Sequence, residues 1–190
     1  MGALTEILQP VGVHSEWRLL LPALGRCGAG AVVLVGAPHV PFGPALQAQG
    51  LRMPRLLWVV ASDATDCLWA TEQALRCAEV DVVLTWLPQR VRPESLRRLQ
   101  MAAAQHAKLL FAMRTEAAHQ EASPAVLRLR VKPCISPHDA LEVWICKRRG
   151  PPLSQALFLG ARPARLAQWL AAHADGAGGC DALDRSAMCG

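Results

Sequence analysis

Residues 3–24 read ALTEILQPVGVHSEWRLLLPAL, and this stretch decides the fold. ALTEIL (3–8) is a short apolar strand, and a loop holding Pro10 and Gly12 follows it. Trp17, Leu20, Leu21 and Leu24 then recur at i, i+3, i+4 and i+7. That spacing puts all four on one face and predicts a helix over residues 15–26 with Ser15 as its N-cap. A strand, a Pro/Gly loop and an amphipathic helix in this order open an alternating α/β chain.

The alternation continues. AVVLVG (31–36) is a continuous apolar run flanked by glycine, the pattern of a strand covered on both faces. Pro41, Gly43 and Pro44 break the chain before a short helix ending at Gly50. RLLWVVA (55–61) is a third strand, and 63–78 a helix with Asp63 or Asp66 at its start. VDVVLTWL (80–87) and KLLFAM (108–113) are further strands, separated by a helix over 92–107 that opens on Pro93 and Glu94. Short connections and alternating elements predict a mainly parallel sheet between two helical layers. After Arg114 the pattern changes: AVLRLRV (125–131), LEVWICKRRG (141–150) and QALFLG (155–160) predict extra antiparallel strands at one sheet edge. An amphipathic segment at 164–172 carries Leu166, Trp169 and Leu170 on one face and completes a domain expected over 1–174. Residues 175–190 are Gly-rich and small, and predict a disordered tail.

Composition bounds the rest. The chain has 190 residues, 52% of them hydrophobic and 18% charged, enough to bury one sizeable core. A net charge of +5 permits contact with nucleic acid or an acidic partner without establishing either. Seven cysteines, an odd number with no CxxC pair, argue against a disulfide framework or a zinc site. Without an apolar run of ~18 residues or a leader pattern, a soluble cytoplasmic protein is expected.

The element order resembles the RecA-type ATPase core over residues 3–115, a RecA-like three-layer fold. TEILQP resembles the strand entering the phosphate loop. GAPHVPFGPALQAQGLRMPRLLW (36–58) resembles the segment bearing the catalytic glutamate, and AEVDVVLTWL the strand ending in the Walker B aspartate. A working phosphate loop needs a lysine for the phosphates and a hydroxyl for magnesium. Gln9 and Gly12 occupy loop positions, but Ser15 stands at the lysine position and Glu16 at the hydroxyl. Pro38, beside His39, stands at the catalytic glutamate and Trp86 at the Walker B aspartate. Three elements replaced together imply a protein that is no enzyme and holds no nucleotide cofactor.

Two families with degenerate RecA-like domains share motifs with this chain. GALTEIL, EWRLLLPALGR, LLWVVASDATDCLWATEQALR, VLTWLP, LRRLQMAAAQ and KRRG followed by LFL resemble the ImuA family of the SOS response. That resemblance implies a DNA-damage adaptor in translesion synthesis, nucleoid-associated on damage. Its partners would be an ImuB-type polymerase-like protein, RecA and an error-prone replicative-type polymerase. LLLPAL and VVLTWLP also resemble the SulA family, which implies the alternative, a cell-division inhibitor binding FtsZ. The length of chain after KLLFAMR favours ImuA.

Other features have plain readings beside functional ones. Arg128 and Arg130 share a strand face and, with Lys147, Arg148 and Arg149, could form one patch for DNA or a partner. Solvated edge charges that discourage aggregation are the alternative. Most of the six tryptophans are expected to face the core, with Trp86 plugging the former nucleotide cleft. His14 and His39 are expected near that cleft, and with Glu16 their spacing fixes no metal geometry.

Overall fold

In a computed structural model of the chain, residues 2–134, 140–151, 153–160 and 168 are described. They form an α/β domain in which eight strands make one sheet in the order β3-β2-β4-β5-β1-β6-β7-β8. The strands are β1 (Ala3–Gln9), β2 (Ala31–Val35), β3 (Leu56–Val59), β4 (Val80–Trp86), β5 (Leu109–Thr115), β6 (Leu127–Pro133), β7 (Ala140–Lys147) and β8 (Leu157–Gly160). The helices are α1 (Glu16–Leu24), α2 (Gly43–Ala48), α3 (Ala64–Arg76) and α4 (Pro93–Gln105).

The uninterrupted apolar strands are explained by two cores, one on each face of the sheet. Val33, Val35 and Val83 join Leu75, Leu96 and Leu99 from α3 and α4. Val32, Leu34, Val82 and Leu84 point the other way, to Leu20, Leu21 and Leu24 of α1 and Leu46 of α2. Alternate side chains therefore feed opposite layers, and a strand covered on both sides must be apolar throughout. Helix starts follow local chemistry: the Asp63 carboxylate accepts from the amides of Thr65 and Asp66 at 2.7 and 2.9 Å, and Pro93 opens α4 without forfeiting a helical bond.

Three expectations change. First, β6 is not antiparallel: it pairs parallel to β1, Thr5 opposite Leu127 through Leu8 opposite Arg130. Residues 116–126 carry the chain back to the starting end of the sheet, a connection long enough for a parallel crossover. Only β7 and β8 run antiparallel to their neighbours. Second, Trp58 and Trp69 do not face the core; they are 40% and 63% exposed, because β3 is an edge strand and Trp69 sits on the outer side of α3. Third, Ser15 occupies the N-cap position of α1 but makes no side-chain cap bond. The segment 164–172 and the tail from 175 lie outside the described residues.

Candidate functional site

The carboxyl ends of β1, β2, β4 and β5 bring the degenerate phosphate-loop positions together, where open parallel sheets place their ligands. Gln9, the last residue of β1, is buried and organises the loop. Its side-chain oxygen accepts the Ser15 amide at 2.7 Å, while its side-chain nitrogen donates to Glu16 at 3.2 Å. Between them the chain turns through Pro10 to Val13, with the Val13 amide bonded to the Pro10 carbonyl at 3.1 Å and Gly12 at φ +77°. Only glycine adopts that backbone without strain. The first amide of the α1 entry is thus spent on Gln9 rather than offered to a ligand.

Glu16 is 3% exposed at the first turn of α1, where a carboxylate is favoured by the helix dipole. Its other oxygen lies 3.8 Å from Nδ1 of His14. His14 meets His39 edge to face at 4.8 Å between ring centroids, so the two histidines do converge here. Among the described residues no cluster of three or more ligating side chains has the geometry for a metal ion. Trp86, at the end of β4, packs 6.4 Å from Trp17 at a 46° tilt. Pro38 is exposed on the loop between β2 and α2. A phosphate chain would meet Glu16, Gln9 and two indoles here, with no lysine in the set.

Two cavities flank Trp86. One of about 140 Å³ lies beneath residues 9–14 against Met113, Arg114 and Thr115. The other, about 270 Å³, opens between α1, α2 and the loop carrying Pro38 to Phe42.

The basic residues divide. Arg128 is 7% exposed: its Nε sits 2.6 Å from a Glu6 oxygen, a charge contact rather than an aligned hydrogen bond, and its terminal nitrogens donate to the carbonyls of Ala118, His119 and Glu121. It belongs to a buried ion cluster, not to an open basic face, because parallel pairing with β1 sets it against Glu6. Arg130 lies 5.4 Å over the Trp144 ring and 3.6 Å from Glu116. Lys147 donates to the Ser123 carbonyl and Arg148 to that of Pro151, both at 2.7 Å, while Arg149 is exposed. The sequence reading missed Glu6 and Arg114 entirely. A lone charge inside each of two otherwise apolar strands was the available signal.

Fold and crevice define an α/β protein with a mostly parallel sheet, whose strand-end crevice is lined by Gln9, Glu16 and Trp86. No protein-family model matches the chain. A curated relative, "Cell division inhibitor SulA" of Edwardsiella piscicida, is 30% identical over 101 residues, which is 53% of this chain and 52% of that protein. The chain therefore spans about half the length of the curated relative it matches. The crystal structure of SulA from Pseudomonas aeruginosa superposes with a TM-score of 0.48 at 24% identity, over 58% of this chain and 97% of that one. The curated relative is a division inhibitor. This corrects the adaptor reading, with its ImuB-type, RecA and polymerase partners, in favour of the alternative. Among the described residues no helix is long and apolar enough to cross a membrane.

Proposed function

We propose that this protein inhibits bacterial cell division by binding FtsZ, acting in the cytoplasm as part of a DNA-damage (SOS) response. The observation that carries the reading is the 30% identity over 101 residues to a SulA division inhibitor. The LLLPAL and VVLTWLP elements that resemble that family fall on α1 and on β4 with the residues just beyond it, the two elements that wall the filled crevice. Action is by binding rather than catalysis. Glu16 would repel phosphate, Trp86 cannot hold magnesium, and Gln9 already occupies the Ser15 amide. The scaffold is a RecA-like core that has exchanged nucleotide chemistry for protein contact. Lys147, Arg148 and Arg149 are the basic side chains best placed to meet a partner or DNA, since Arg128 is buried.

Expression in dividing cells without DNA damage tests this directly. Filamentation, with FtsZ retained on the tagged protein and its polymerisation slowed, is the expected result. Normal division together with no FtsZ retention overturns it.

A further inference from the structure

The 270 Å³ cavity beside Trp86 combines aromatic side chains with one buried carboxylate. Trp17, Trp86 and Phe42 contribute aromatic surface, and Glu16 contributes a carboxylate. That carboxylate is only 3% exposed, and the partners it has among the described residues carry no fixed positive charge. The Gln9 amide is neutral, and the His14 ring, 3.8 Å away, is positive only when protonated. A carboxylate taken out of water ordinarily has a cation against it, because desolvation is costly without one. Indole faces add to the attraction of such a site for cations. The mouth is apolar and open: Val40 and Phe42 are each 70% exposed on the rim.

We infer that this cavity receives an arginine side chain presented by a protein partner. The guanidinium pairs with Glu16 and lies against the packed Trp17–Trp86 pair, and the apolar stem passes over Phe42. Arginine fits better than lysine because a planar, weakly hydrated cation stacks on indole and forks onto a carboxylate. A protein source, rather than a free small cation, is indicated by the exposed Val40 and Phe42, which a guanidinium alone would leave in water. The inference stands apart from the division-inhibitor reading, since it holds for any partner bearing the side chain.

The test titrates the full chain with a capped Gly-Arg-Gly peptide and follows the assigned indole N–H resonances of the tryptophans. Saturable shifts confined to Trp17 and Trp86 are expected. The same peptide with citrulline, the neutral isostere of arginine, should bind at least ~10-fold more weakly, as should the arginine peptide to Glu16→Gln. The citrulline comparison is made on the unaltered protein, so it decides even if the variant misfolds. Equal binding of citrulline, or shifts at Trp58, Trp69 and Trp144 instead, overturns the site. Equal affinity for methylguanidinium overturns the assignment to a protein side chain.

Discussion

Arg128 on β6 sets its Nε 2.6 Å from a carboxylate oxygen of Glu6 on β1, a residue with no exposed surface. Arg114 on β5 reaches the other Glu6 oxygen at 3.3 Å and Glu121 at 2.7 Å. One carboxylate on the middle strand thus joins the two strands that flank it, and each arginine also answers for the chain at 116–121. Buried charge here ties the crossover to the sheet.

Removing one member should expose that dependence. Arg128→Ala or Glu6→Gln is expected to destabilise the fold by about 3–5 kcal/mol, because an uncompensated charge stays buried. Urea unfolding of the two single variants and the double variant checks it. The double variant should cost less than the two singles added together.

Substitutions on the exposed basic stretch should behave oppositely. Lys147→Ala/Arg148→Ala/Arg149→Ala is expected to shift stability by no more than ~1 kcal/mol, as exposed pairs contribute little. Retention of FtsZ, or of DNA at low salt, is expected to fall, and unchanged retention of both would remove these residues from the interface.

Trp58 and Trp69 give a contrast with the core. Trp69→Ser should cost least and Trp58→Ala somewhat more, each less than Leu84→Ala, which should cost about 2–5 kcal/mol. Thermal melts of the three variants are sufficient.

Cys67 supplies a pH dependence. Its thiol is buried against Thr85 and Thr71, and burial raises its pKa from 9.0, partly offset by hydrogen bonding with those side chains. The unfolded chain loses this proton first as pH rises, so the stability it contributes is whole below about 9 and declines above. Cys67→Ala should flatten that alkaline decline. In the native state, thiol reagents should label exposed Cys77 and Cys146 well before Cys67.

Nucleotide binding should be absent. Titration of magnesium-ATP into the protein is expected to give no saturable heat, and a micromolar affinity would contradict the reading of Gln9, Ser15 and Glu16 as a closed loop.

Much of this was written in local pattern. The periodic leucines of α1, the Asp63 cap and the apolar runs of β2 and β4 report on neighbours a few residues away. Elements governed by such short-range rules came out within a few residues of their observed ends. The crevice was legible for the same reason, since Gln9, Ser15 and Glu16 lie on one strand–loop–helix unit and Trp86 at a strand end. Alternation along β6 placed Arg128 and Arg130 on one face. It carried no information on what would cover that face, and solvent was the default.

The sequence was enough for the α/β class and for most strand and helix positions, because each follows from side-chain type and spacing. Tertiary structure alone decided that β6 runs parallel beside β1, that Arg128 is spent on Glu6, and that two tryptophans stay at the surface. Strand partners and burial depend on contacts between residues far apart in the chain, as between Glu6 and Arg128. Such contacts leave no periodic trace in the order of residues.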